Sequence, residues 1–149
     1  MDDAREKVDQ ALTSGAGLNT FRKMVEAQGG DPRVCDEPES VLEQAGTISP
    51  MVADSDGFVC DVNAEKIGRA VLVLGGGRRK SDDLIDPAVG ISGLVQIGER
   101  VAKGNPLMQI HSNDPGRLKQ AEDLLENAIT LSDTAPAADS VILERILPS

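Results

Sequence analysis

The densest chemistry in the sequence lies in VLVLGGGRRKSDDLIDPAVG, Val71 to Gly90, where three glycines, three basic residues and three aspartates share one run. Glycines leave backbone amides open to an anion, basic side chains add charge, and carboxylates can hold a hard cation. The candidate residues are Gly75, Gly76, Gly77, Arg78, Arg79, Lys80, Ser81, Asp82, Asp83 and Asp86. The run meets neither familiar phosphate-loop pattern. G-x-x-x-x-G-K-S/T fails because Arg79 precedes Lys80-Ser81, and G-x-G-x-x-G fails because Lys80 stands where the third glycine belongs. Both patterns also place the loop after a strand, whereas this run follows helix-like sequence and meets the negative end of a helix dipole. Arg78, Arg79 and Lys80 offset that field locally. Two readings stand: a helix C-cap followed by a mobile, charged loop, or a loop that closes over a ligand bound mainly elsewhere. The spacing of Asp82, Asp83 and Asp86 is not that of a calcium loop.

Other chemistry is sparse. His111 is the single histidine, so any histidine relay would have to use it; an apolar alternation before it and a turn after it predict a hydrogen-bonded residue at a strand end. One histidine with two separated cysteines does not make a zinc cage. Cys35 and Cys60 lack C-x-x-C spacing and no secretory leader is recognisable, which predicts free thiols and a cytoplasmic setting. The 25 acidic side chains are too many for any pairing in sequence to carry meaning. A net charge of −10 opposes binding to nucleic acid, and the two aromatic residues, Phe21 and Phe58, offer no stacking platform. No apolar run approaches the roughly 20 residues that span a bilayer.

The elements that must position the run follow from periodicity. Ala4, Val8, Ala11 and Leu12 share a helical face ended by Gly15. A second helix is predicted to start after Asn19 or Thr20, with Phe21, Met24 and Val25 inward, and to stop at Gly29-Gly30. PESVLEQAG, from Pro38 to Gly46, suggests a short third helix. Met1 leads straight into helix-like sequence, which suits either a piece of a longer polypeptide or an ordinary start. ISPMVA and GFVCDV read as strands joined by a turn at Asp54–Gly57. Asn63 caps a helix carrying Ile67, Ala70, Val71 and Leu74 on one face and stopped by Gly75, with Gly68 inside it where a neighbouring strand would come close. Short apolar stretches punctuated by Gly93, Gly98, Gly104 and Pro106 have the rhythm of a small barrel or sandwich. Asp114-Pro115 opens a helix with a stripe of Leu118, Ala121, Leu124, Leu125, Ala128 and Ile129, and VILERIL reads as a final strand. The fold class is α+β: an N-terminal helical segment, then a small barrel-sandwich domain of the α/β-hammerhead kind with two interleaved helices.

Larger pieces carry a resemblance. G-F-V at Gly57–Val59 is followed by L-G-G-G-R at Leu74–Arg78 and D-x-I-D-x-x-V-G at Asp83–Gly90. I-G-E-R-V-x-x-G-x-P-L at Ile97–Leu107, I-H at Ile110–His111 and L-S-D-x-A-P at Leu131–Pro136 continue the series, and FRKMVEAQGGDP at Phe21–Pro32 precedes it. Taken together, these resemble the C-terminal domain of thymidine and pyrimidine-nucleoside phosphorylases. The resemblance implies a parent that reversibly splits a pyrimidine nucleoside with inorganic phosphate, giving the base and a (deoxy)ribose 1-phosphate without a further cofactor. It implies residues 1–46 as a helical segment from the end of the large α/β domain and 47–149 as the C-terminal domain. The partners implied are the remaining α/β and helical domains, in a homodimer. The family's phosphate loop, of the K-x-S-T/S-G-G-x-G-D type, has no match in this sequence, nor does its pyrimidine-binding arginine, serine and lysine set. No catalytic residue and no metal ligand is therefore carried over. The Gly75–Asp86 loop takes a supporting, cleft-closing role, and the chain by itself is expected to be inactive.

Two other classes fit parts of the sequence. G-F-V with G-E-R-V-A-K-G-N-P-L-M-Q-I resembles the half-motifs of biotinyl and lipoyl carriers, but Lys66 falls on a predicted helix rather than a hairpin tip. A standalone regulatory or interaction module is the third reading.

Overall fold

The computed structural model describes residues 2–78 and 80–137, with positions 144 and 146. The chain divides into two compact units, Met1–Gln44 and Ala45–Ser149. Among the described residues the fold is α+β, with five α-helices and two three-stranded antiparallel sheets.

The first unit holds α1 (Asp2–Thr13), α2 (Ala16–Ala27), a 3-10 turn at Pro32–Cys35 and the single-turn α3 (Pro38–Val41). Gly15 is left-handed, φ 74°, as a residue between two helices must be. The second helix begins at Ala16, earlier than the predicted start after Asn19 or Thr20. The tight Gly15 turn places the Ala16 amide 3.3 Å from Ser14 Oγ, so the next helix can start at once. Asn19 lies inside α2, accepting from Arg22 Nη1 at 2.8 Å. The predicted inward face is corrected too: Phe21 and Met24 are exposed, and α2 has no buried residue. α3 is shorter than PESVLEQAG suggested, because Leu42 is already extended.

In the second unit, β1 (Thr47–Val52), β5 (Pro106–Ser112) and β3 (Gly90–Ser92) form one sheet with β5 central. The register pairs Thr47 with Ser112 and Gly90 with His111. Pro50 is tolerated because β1 is an edge strand. β4 (Arg100–Val101), β2 (Gly57–Val62) and β6 (Ile129–Ser132) form the other, with β2 central. The Asp54–Gly57 turn thus makes no hairpin; it hands the chain from one sheet to the next. β6 replaces the last part of the predicted helical stripe. α5 (Pro115–Leu125) stops at Leu125, and Asn127 turns left-handed at φ 56°, leaving Ala128 and Ile129 outside the helix. The predicted strand VILERIL, positions 141–147, lies outside the described residues apart from two isolated positions.

α4 (Ala64–Leu74) starts where the sequence said, with Asn63 Oδ1 accepting the Lys66 amide at 2.9 Å, and packs against α5. Ala70 and Leu74 of α4 meet Ala121 and Leu125 of α5 over Met108 and Ile110 of β5. Burying one such leucine contributes about 1.5–3 kcal/mol. A second cluster, Ala53, Val59, Val95, Val101 and Leu107, lies between the sheets, and Ile129 packs against both. Gly68 meets nothing within 4 Å of where a Cβ would stand, so the predicted close strand approach is absent.

Candidate functional site

The glycine-rich run folds as a closed loop between α4 and β3. Its entry is a Schellman cap: Gly75, at φ 104°, donates to Leu72 O at 3.3 Å, and Gly76 donates to Val71 O at 3.0 Å. Space is tight as well: a Cβ on Gly76 would stand 3.1 Å from the backbone Val89 O, while those on Gly75 and Gly77 would meet the movable ends of two side chains. A Cβ on Gly75 would stand 2.7 Å from Arg117 Nη1, and one on Gly77 would stand 2.6 Å from Leu72 Cδ2. The loop's far end returns to its start, because the Asp86 amide donates to Gly75 O at 3.0 Å. Tied ends of this kind define a compact surface loop. At its crest, Lys80 O accepts the Asp83 amide at 3.2 Å while Asp83 Oδ2 accepts the Lys80 amide at 3.0 Å.

This hydrogen bonding bears on the anion question. The amides of Gly75, Gly76, Lys80, Asp83 and Asp86 all donate within the loop or to the end of α4. Those amides do not converge on an open anion cradle. The helix end they cap presents carbonyl oxygens, and the Arg117 guanidinium reaches Leu74 O at 3.5 Å, where a cation suits the dipole.

Asp86 is the loop's base. Its carboxylate accepts the Ala88 amide at 3.0 Å and the Asn113 side-chain amide at 2.8 Å. The Asn113 bond, then the Ala88 bond, hold its pKa below the ordinary aspartate value, with the nearby Arg117 charge adding to them and partial desolvation opposing.

Beneath the loop lies a cleft of about 520 Å³, lined by Leu72, Gly77, Lys80, Asp83, Arg117 and Gln120 among others. Of the residues singled out in the sequence, Gly75, Gly77, Lys80 and Asp83 line it. Gly76 packs against Val71 and Val89 instead, Asp86 anchors the base, and Arg78, Ser81 and Asp82 are exposed on the outside. Arg79 lies outside the described residues. Sequence reading missed Arg117, Gln120 and Asn113. Arg117 and Gln120 stand three apart on α5, a spacing that puts them on one face, but nothing in the sequence says which loop that face meets.

The remaining candidates hold structural places. His111 Nε2 lies 2.7 Å from Ser92 Oγ across paired strands, a satisfied strand-end histidine. Cys35 and Cys60 are free thiols, Cys60 Sγ donating to Thr130 O at 3.3 Å. Lys66 is on α4, and its ammonium donates to Glu126 O at 2.8 Å, capping the end of α5. No three metal-ligating side chains stand together among the described residues. No helix among them is long and apolar enough to cross a membrane.

Comparison with known proteins accounts for this pattern. Residues 58–132 match the model of the pyrimidine nucleoside phosphorylase C-terminal domain. The thymidine phosphorylase of Burkholderia orbicola is 41% identical over 134 residues, covering 90% of this chain and 31% of that protein. The thymidine phosphorylase of Mesorhizobium japonicum is 38% identical over 146 residues, covering 98% of this chain and 33% of the relative. The chain thus spans about a third of the length of these relatives. The matched stretch runs from Phe58 in β2 through β6 and takes in the paired helices and the glycine-rich loop, and the chain belongs to the pyrimidine nucleoside phosphorylase C-terminal domain family.

Proposed function

We propose that this chain is the C-terminal third of a thymidine or pyrimidine-nucleoside phosphorylase, in which it buttresses the catalytic domain and supplies a loop that helps close the substrate cleft. The parent reaction is reversible phosphorolysis of a pyrimidine nucleoside to the base and (deoxy)ribose 1-phosphate, in a cytoplasmic homodimer. Residues 1–46 belong to the end of the large α/β domain, and 47–149 to a barrel-sandwich domain of the α/β-hammerhead kind. The observation that carries the reading is the match of nearly the whole chain to one third of named thymidine phosphorylases. Two others support it. The amides of Gly75, Gly76, Lys80, Asp83 and Asp86 are committed internally, which suits a gate better than an anion cradle. The helices of the first unit leave Leu12, Phe21 and Met24 exposed, as expected of elements whose covering partner is another domain. Closure of such a cleft excludes water and brings phosphate against the anomeric carbon of the sugar.

The test is a graft. This chain replaces the matching third of the Burkholderia orbicola thymidine phosphorylase, and thymine release from thymidine is followed with phosphate present. The graft is expected to be active, while the chain alone releases no base from thymidine or uridine. A folded but inactive graft, or enzyme-like turnover by the chain alone, sinks the reading.

A further inference from the structure

Asn113 joins two segments distant in sequence. Its Oδ1 accepts the Gly46 amide at 2.7 Å, and its Nδ2 donates to Asp86 Oδ2 at 2.8 Å. Gly46 is the second residue of the second unit, the place where the chain enters it. Asp86 closes the glycine-rich loop onto Gly75. A carboxamide suits this position because donor and acceptor share one rigid plane, so fixing one end orients the other. Its backbone is held as well: Ser112 before it is buried and its Oγ donates to Asp114 O at 2.9 Å, while Asp114 after it caps α5 by accepting the Arg117 amide at 2.8 Å.

We propose that Asn113 is a positioning residue that couples the entry of the chain at Gly46 to the anchoring of the loop at Asp86. One amide plane satisfies both partners, so loss of either loosens the hold on the other, and the coupling is reciprocal. This deepens the gate reading and rests on it only for what the loop is for. In a longer chain, a shift in the segment entering at Gly46 reaches the loop through this side chain.

The experiment is residue-resolved amide hydrogen exchange on this chain, with no nucleoside present, so its outcome is independent of the graft. Asp86→Ala removes the acceptor at one end of Asn113 and does not touch Gly46, yet is expected to speed exchange at the Gly46 amide about threefold to tenfold, the range of one hydrogen bond. Gly46→Pro, which removes the donor, is expected to speed the Asp86 and Ala88 amides similarly. Gly46→Ala keeps the donor, with its Cβ about 3.5 Å from Asn113 Oδ1, and is expected to leave them unchanged. In an Asn113→Ala background the Asp86→Ala change at Gly46 disappears. Slow exchange at the buried Val59 and Met108 reports an intact fold. If Asp86→Ala does not fold, Asp86→Asn, which weakens the acceptor, is expected to give a smaller rise at Gly46. Unchanged Gly46 exchange in a folded Asp86 variant, or a change that persists without Asn113, overturns the proposal.

Discussion

The two units use similar apolar residues to opposite ends. In the second, leucine, isoleucine and valine at helical and strand spacing come together as two buried clusters. In the first, α1 and α2 carry an equally regular stripe, yet Val8 is 58% exposed and Leu12 73% exposed. Ion pairs among its described residues lie at the surface, and of these only Arg22 with Asp36 at 2.7 Å joins separate elements, while Lys7 with Asp3 at 2.9 Å and Arg33 with Asp31 at 2.6 Å are local. Exposed pairs of this kind add little once water and salt screen them, and helices of this length are marginal in water without packing. An amphipathic pattern reports that a face is meant to be covered, and says nothing of which part of a polypeptide covers it.

Substitutions sharpen that contrast. The largest effect is expected from Leu125→Ala, which empties a site 1% exposed and should lower stability of the second unit by about 2–5 kcal/mol in urea unfolding. Leu12→Ala should change stability by no more than about 0.5 kcal/mol. Equal losses would mean that the first unit has a core after all.

Two glycines in one helix region give the next pair. Gly75→Ala must adopt φ 104° and meet Arg117, and should cost about 1–2 kcal/mol, read as a lower unfolding midpoint. Gly68→Ala has open space and ordinary helical geometry, and should raise stability by up to about 1 kcal/mol. A loss at Gly68 would show that its face is covered in solution.

The smallest effect concerns the loop base. Asp86 has its pKa lowered in the folded chain, so its anchoring is fully present above about pH 4 and is lost as pH falls through the lowered value. Exchange at the Asp86 and Ala88 amides, corrected for intrinsic rates, should accelerate on acidification below that point. Asp86→Asn should remove the pH dependence; its persistence would assign the effect to another carboxylate.

Local rules were enough for the parts of the molecule governed by nearest neighbours. Asn63, Gly75 and the Asp114-Pro115 pair mark helix ends because caps satisfy orphan backbone groups within a few residues of themselves. The family was legible for a related reason, since its spaced glycines and charged residues lie in one continuous stretch from Gly57 to Pro136. Long-range pairing was not legible. ISPMVA and GFVCDV look like neighbours and lie in different sheets, and Ile129 continues a helical stripe in sequence but enters a strand in space. Burial of Phe21 and Met24 failed for the same reason: periodicity names a face, whereas exposure depends on what is packed against it. The site divides along this line. Gly75 through Asp86 could be chosen from composition alone, but Arg117 and Gln120 join the loop only because α5 packs on α4, and Asn113 only because the end of β5 lies beside Asp86.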